Sequence, residues 1–390
     1  MKYRTVSWYD DFQCIGGSCE DSCCENWEID LDEASLKHYM KQRGSFGKRL
    51  RDNTRVKDRQ FILNGTRCPF LNEENLCDIY IELGEECLCE TCTNFPRHIE
   101  EFEDLKEVSL TMSCPEVSRI MLEKKQQMTF CCREGADSEY GLKHMKPVHS
   151  LAFWKRKHTN KLDKPLFEVL FSVREYFFGI LQDREKPVKY RAAEVLLSAY
   201  ELQELIDAGQ YEQLRQRFVR NALPVKYSNR TAEKKTWMKQ LLNMFEGLEN
   251  IKEDWKELLQ GGMEILSDED NCQSYESACG EFEDYYREKE YEFEHILVYY
   301  IFNYFLGASY DHDALTKVKF AVVSYLVILE LDTALWLKQE KSFTYENQVR
   351  IAHAYSKEVE HSYNNFESLQ LVMSAHPLLD MEHIMVGLLS

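Results

Sequence analysis

The chain has 390 residues, 44% hydrophobic and 29% charged, an ordinary globular composition long enough for two or three domains. A formal net charge of −19 argues against nucleic acid as a partner, because such binding rests on Lys and Arg neutralising phosphates. The same charge suits a basic partner or a lysine-bearing substrate through long-range attraction, and equally keeps a protein soluble. The first eleven residues are polar and mixed in charge, with neither the apolar run nor the small-residue site of a secretory signal, so a cytoplasmic protein is expected. The greasiest stretch, residues 318–337, is interrupted by Lys319, Glu330 and Asp332. Its cleanest ten residues are about half of what a bilayer needs, so a buried core helix is expected there and no membrane partner.

In chain order, residues 1–145 read as a turn-rich module of short elements. Turn residues cluster at Gly16-Gly17-Ser18, Gly44-Ser45, Asn64-Gly65 and Leu83-Gly84. Two short helices are expected in it, over 31–43 with Asp30 or Asp32 as N-cap, and over 115–127 opened by Pro115. A basic stretch at 143–157, marked by Pro147, serves as linker or as the start of a second domain. From there apolar residues recur at three- and four-residue spacing over 165–182, 190–208, 232–248, 279–306, 314–338, 345–363 and 367–389. The stripe Phe293, Leu297, Tyr300 and Tyr304 is expected to be bundle core. The fold class is therefore mostly α, with a cysteine-rich N-terminal metal-binding module at 1–145 and an α-helical domain at 146–390.

Cysteine carries the functional signal. Of fourteen, twelve fall between Cys14 and Cys132. A chain in a reducing compartment that patterns its cysteines this way points to metal or redox chemistry before disulfides. The pieces are Cys14-x4-Cys19-x3-Cys23-Cys24 followed by Trp27, then Cys68-Pro69-Phe70-Leu71, then Cys77-Asp78-Ile79-Tyr80, then Cys87, Cys89 and Cys92 leading into Phe95-Pro96-Arg97, and last Ser113-Cys114-Pro115-Glu116. Thiolates in tight turns converge on one centre, as tetrahedral zinc or a four-cysteine iron–sulfur cluster requires. Zinc sites favour paired Cys-x2-Cys knuckles and only Cys89-x2-Cys92 fits, while His38 and His98 are the only histidines before residue 140. An adjacent pair such as Cys23-Cys24 rarely puts both thiols on one metal. An iron–sulfur module is the favoured reading, with a non-catalytic zinc- or cluster-binding module for metal handling or assembly as its rival.

This set resembles the bacterial flagellin lysine-N-methylase family, and more distantly a broad cysteine-cluster family with a CxxCxxCC opening. The resemblance rests on Phe12-x-Cys14, Cys19-x3-Cys23-Cys24-x2-Trp27, Cys68-Pro69-Phe70-Leu71, Leu76-Cys77, Leu83-Gly84, Cys92-x2-Phe95-Pro96-Arg97 and Ser113-Cys114-Pro115-Glu116, and covers residues 1 to about 120. It implies methylation of flagellin lysines by a methyltransferase that takes its methyl group from S-adenosylmethionine and depends on a [4Fe–4S] cluster. The metal ligands it implies are drawn from Cys14, Cys19, Cys23, Cys24, Cys68, Cys77, Cys92 and Cys114, with Cys87, Cys89, Cys131 and Cys132 as extras. Eight thiols exceed the four of one cluster, which leaves open two centres or supporting thiols.

Methyl transfer needs a neutral lysine amine, since an ammonium has no lone pair, so burial or a base must remove its proton. Glu116 and Tyr80 are the candidate bases. Glu116 equally fits a first helical turn, where a carboxylate complements the helix dipole. Arg97 is a candidate partner for a cofactor carboxylate, or else a structural ion pair. No G-x-G-x-x-G follows a strand, and the C-x3-C-x2-C spacing of radical S-adenosylmethionine enzymes is absent.

Overall fold

The computed structural model describes residues 1–142, 161–210, 230–267 and 272–390. The linker expected at 143–157 lies outside them. The chain divides into two compact units, Met1–Ile120 with Thr129–Ser150, and Met121–Met128 with Leu151–Ser390.

The first unit is built on a sheet that the sequence reading did not anticipate. Strands β1 (Lys2–Val6), β4 (Arg97–Phe102), β5 (Leu105–Leu110) and β6 (Phe130–Glu134) lie in the order β4-β5-β1-β6. β5 pairs parallel to β1, with Lys2 opposite Leu105, while β4 and β6 run antiparallel on the two edges. Buried charges hid the strand alternation. Arg4 lies 3.6 Å from Glu107, and Lys106 lies 2.7 Å from Glu101 and 2.6 Å from Asp137, so polar residues occupy inward positions as ion pairs. Cys131 and Cys132 sit on edge strand β6, opposite Thr5 and Arg4.

Between β1 and β4 the chain winds through helices α1 (Glu33–Lys41) and α2 (Gly44–Asp52), the short ladder β2 (Thr54–Arg55) and β3 (Gln60–Phe61), and helices α3 (Asp78–Leu83) and α4 (Glu90–Asn94). Asp32 is the N-cap of α1, accepting the Ser35 N–H at 2.8 Å. Its second oxygen accepts the Glu90 N–H at 3.0 Å, so one carboxylate fixes the starts of both α1 and α4. These pieces enclose a small apolar core around Tyr39, Leu50, Phe61, Phe70 and Ile79, and several cysteines are part of it: Cys68 and Cys89 are buried in it, and Cys24, Cys77 and Cys92 are partly buried against that core. After β5 comes helix α5 (Pro115–Glu123), shorter than the expected 115–127.

The second unit is helical throughout its described residues. Its axis is the helix Ala314–Lys338, capped by Asp313, whose carboxylate accepts the Thr316 N–H at 3.0 Å. Val188–Asp207, Glu253–Leu266, Glu290–Tyr304 and Tyr345–Glu360 surround it. By length and composition this helix is apolar enough to cross a membrane, but 83% of its most apolar window is buried inside the unit, as a helix that is hydrophobic all round must be. Two of its charged side chains find partners within the bundle: Lys317 lies 2.7 Å from Asp311, and the Tyr275 hydroxyl donates to Glu330 at 2.8 Å.

Most expected helices are present, with their ends moved for local reasons. The expected 279–306 is two helices, Cys272–Tyr286 and Glu290–Tyr304, separated by a tight turn at Arg287–Lys289. The expected 367–389 is broken before Pro377, which cannot continue a helix, and Asp380 caps Met381–Leu389 by accepting the His383 N–H at 2.9 Å. Helix Glu253–Leu266 was not expected, because Gly261-Gly262 weakens its pattern. The segment Met121–Met128 counts with this unit: Arg184 donates to the Lys125 carbonyl at 2.6 Å, and the His295 ring nitrogens lie 3.0 Å from the Met121 and Gln126 carbonyls.

Candidate metal centre

The cysteine turns are held open by backbone chemistry. Gly17 stands so close to the facing loop that a Cβ there would lie 2.6 Å from the Glu74 carbonyl oxygen, and the Gly16 N–H approaches the Cys14 sulfur at 3.4 Å. Three further cysteines begin helices. Cys77 precedes α3 and its sulfur accepts the N–H groups of Ile79 and Tyr80; Cys89 precedes α4 and accepts those of Thr91 and Cys92; Cys114 precedes α5 and accepts those of Glu116 and Val117. Free N–H groups at a helix start stabilise a thiolate, and as hydrogen bonds to a ligating sulfur they tune a metal centre. Cys68 accepts the Phe70 N–H in the same manner within the Cys-Pro turn.

Side chains outside the cysteine pattern hold these turns together. Arg49 donates to Asp78 at 2.6 Å and to the Pro69 carbonyl at 2.6 Å, clamping the Cys68 turn to the start of the Cys77 helix. Arg119 bonds both Glu20 and Glu116, so the Cys19 loop is tied to the Cys114 helix. Trp27 donates its indole N–H to the Cys23 carbonyl at 2.6 Å and packs on Phe95, whose peptide bond to Pro96 is cis.

The thiols act on one another electrically in two neighbourhoods. Burial pushes Cys114 up to about 12, with Cys19 and Cys14 adding like-charge repulsion. Burial also raises Cys19, again with Cys14 contributing. Burial pushes Cys68 up to about 12, with Cys24, Cys77 and Cys89 adding repulsion, and raises Cys77, where Cys24 contributes. Within two pairs the thiols hydrogen-bond each other. Cys23 donates to Cys24, which holds Cys23 well above the usual thiol range and draws Cys24 below it; Cys92 donates to Cys89 with the same result. Cys23 is exposed as a residue, yet its thiol is turned in against Cys24. Cys24 and Cys89 are thus the thiols most ready to ionise and attract a cation.

Among the described residues, no three Cys, His, Asp or Glu side chains stand close enough to hold a single metal ion as arranged. A tetrahedral zinc with bonds of about 2.3 Å would draw its thiolates to within about 4 Å of one another. A four-iron cluster is a larger body with a ligand at each corner, so an all-thiol donor set at wider spacing fits it with less rearrangement.

The structure sorts the sequence-based candidates as follows. All eight expected ligands, Cys14, Cys19, Cys23, Cys24, Cys68, Cys77, Cys92 and Cys114, fall in these neighbourhoods, and Cys89, read from sequence as an extra, joins them as a buried partner of Cys92. Cys87 lies instead beside His38 at 3.5 Å. Glu116 forms an ion pair with Arg119 at 3.3 Å, and Tyr80 is 51% exposed. Arg97 donates to the Tyr9 hydroxyl at 2.9 Å and to the Tyr140 carbonyl at 3.0 Å. The second unit has a cleft of about 300 Å³, counting its open mouth, lined by Phe282, Glu283, Tyr286, Glu290, Phe293 and Tyr325 among others. Aromatic faces and carboxylates suit an alkylammonium, and Lys189 supplies one, with Nζ 2.8 and 3.0 Å from the Glu283 oxygens.

These features define a mostly α, two-unit protein with twelve of its fourteen cysteines in one unit. Residues 174–387 match the family model for the FliB lysine N-methylase C-terminal domain. The chain is 31% identical over 120 residues to the flagellar biosynthetic protein FliU of Salmonella muenchen, covering 28% of this chain and 71% of that protein. At the same identity and length it matches the lysine-N-methylases of Salmonella typhimurium strain LT2 and Salmonella choleraesuis, spanning 30% of each. No solved structure matches. The chain belongs to the FliB lysine N-methylase family, and the family model falls on the helical unit, where the sequence resemblance was weakest.

Proposed function

We propose that this protein is a cytoplasmic protein-lysine N-methyltransferase that takes its methyl group from S-adenosylmethionine, acts on flagellin, and depends on an iron–sulfur centre held by its N-terminal cysteines. The observation that carries the reading is the family match over residues 174–387. The names of the relatives supply lysine methylation and the flagellar setting. The cysteine arrangement supports the iron–sulfur dependence, since the thiols are drawn from separate turns into shared neighbourhoods and supplied with backbone N–H groups.

In this reaction the neutral lysine nitrogen attacks the donor's methyl carbon, the carbon–sulfur bond breaks, and the thioether leaves with its electron pair. The amine must first lose a proton, which a low-dielectric surrounding or a carboxylate brings about. A bound cluster supplies redox chemistry or an electrophilic iron. The N-terminal cysteines would hold it, and the backbone N–H groups that the Cys77, Cys89 and Cys114 sulfurs already accept would tune it. The −19 charge favours encounter with a lysine-rich surface.

The test is incubation of anaerobically purified, iron-loaded protein with flagellin and isotopically labelled donor, read by peptide mass spectrometry. The reading expects label on lysine side chains. An iron-loaded protein that transfers no label would remove it.

A further inference from the structure

Proton abstraction from a lysine ammonium calls for a carboxylate that is shielded from water, has a free lone pair and borders a space an amine can enter. Glu116, paired with Arg119, and the largely exposed Tyr80 do not meet that description. Glu330 meets it. It stands in the second half of the axial helix Ala314–Lys338 and is 3% exposed. Its Oε2 accepts the Tyr275 hydroxyl at 2.8 Å, while its Oε1, also buried, has no hydrogen-bond partner among the described residues. A buried carboxylate oxygen left without a partner is rare, and such groups concentrate where a ligand or a proton is handled.

Glu330 lines a cleft of about 300 Å³, counting its open mouth, between its own helix and the helices Thr231–Glu246 and Cys272–Tyr286. Met238, Leu326 and Leu329 give the cleft apolar walls that suit a chain of methylenes. Cys279 faces it as a neutral thiol, pushed up to about 12 by burial. Lys234, the cation in the wall, donates to the Ser390 carbonyl at 2.8 Å, which leaves Oε1 for another donor. The aromatic cleft around Tyr286 and Phe293 adjoins this one, sharing Glu283 and Leu329 with it.

We propose that this cleft receives the acceptor lysine and that Glu330 is the catalytic base, taking the ammonium proton on Oε1. The assignment rests on the methylase reading proposed above; the choice of residue rests on the cleft and the free oxygen. In the step, an ammonium N–H bond breaks, its proton passes to Glu330, and the lone pair stays on nitrogen. That pair attacks the methyl carbon of the sulfonium donor, and the carbon–sulfur pair departs with the thioether. Glu330 then releases its proton to solvent through the mouth of the cleft. Tyr275 is a positioning residue, since its hydroxyl anchors Oε2 and leaves Oε1 free. The titratable groups facing Glu330 are Tyr275, Cys279 and Glu283 on Cys272–Tyr286 and Lys234 on Thr231–Glu246. Burial raises the Glu330 carboxyl to about 7, with the Tyr275 hydroxyl and Lys234 pulling the other way. A base of that strength suits proton transfer at neutral pH.

The experiment is single-turnover transfer of labelled methyl from S-adenosylmethionine to flagellin by the anaerobically purified, iron-loaded full chain, followed across the neutral pH range. The parent rate should rise with pH and level off above about 7, because the base works only when deprotonated. Glu330→Gln should lose about 10²–10⁴-fold in rate and show no step near neutrality, with little change in the KM for flagellin. Glu330→Asp should recover part of the rate. Tyr275→Phe removes a bond that favours the ionised carboxylate, so its step should move to higher pH, and this decides the matter if Glu330→Gln misfolds. Label transfer by Glu330→Gln at the parental rate, or an unmoved step in Tyr275→Phe, would overturn the proposal and leave the methylase reading intact. A parent protein that transfers no label would remove both.

Discussion

Gly17 shows how much a single atom matters in the cysteine unit. With a Cβ placed 2.6 Å from the Glu74 carbonyl oxygen, Gly17→Ala must displace the Cys14–Cys19 loop. Overpacking of this kind costs about 1–3 kcal/mol. The variant should therefore show a lower denaturation midpoint and faster loss of iron to a chelator, and unchanged values would show that the loop yields freely. Glu330 makes a different residue-scale prediction. Burial raises its carboxyl to about 7 against an ordinary 4.5, with the Tyr275 hydroxyl only partly offsetting this. The folded state therefore keeps a proton that the unfolded state releases, so the contribution is full below about 4.5 and is lost as pH rises through 7. Glu330→Gln, which mimics the protonated form, should be the more stable protein at pH 8 and lose that advantage by pH 5, a difference on the order of 1–3 kcal/mol. Parallel denaturation curves at both pH values check this.

Between elements, one polar joint in the helical unit is Glu294. Its fully buried carboxylate receives Arg191 and Arg184, each at 2.7 Å, joining Val188–Asp207 and the turn that follows Lys164–Leu181 to Glu290–Tyr304. Removing one side of a buried pair leaves an uncompensated charge, so Glu294→Ala should cost about 3–5 kcal/mol, read as a drop in thermal midpoint. A near-neutral effect would show that water reaches the arginines. A second joint is apolar. A Cβ on Gly387 would lie 2.3 Å from the Trp237 ring, so Met381–Leu389 docks on Thr231–Glu246 only because that position lacks a side chain. The helices themselves were legible from sequence because their apolar stripes repeat with the helical period. Their breaks were legible only where Pro377 announces one. The N-terminal sheet was not legible, since β5 is buried at every position and β1 and β5 bury the charged Arg4, Lys106 and Glu107, which erases the apolar–polar alternation that marks a strand.

For the whole molecule, the sequence made the cysteines conspicuous and left their sorting unreadable. The N–H donors at Cys77, Cys89 and Cys114 follow from helix starts, which turn residues and Pro115 partly signal. Arg49 and Arg119 carry no such signal, because an arginine that clamps two loops looks in sequence like any surface arginine. Cys89 was set aside as an extra, and only its burial beside Cys92 recruits it. The family assignment rests on the helical unit, whereas the proposed metal chemistry rests on the cysteine unit. The measurement that tests the central claim most directly is an iron-edge anomalous difference map from crystals of the anaerobically prepared full chain. The account predicts strong iron density bounded by sulfurs of the N-terminal cysteines. A map with no iron near any of these sulfurs would contradict it.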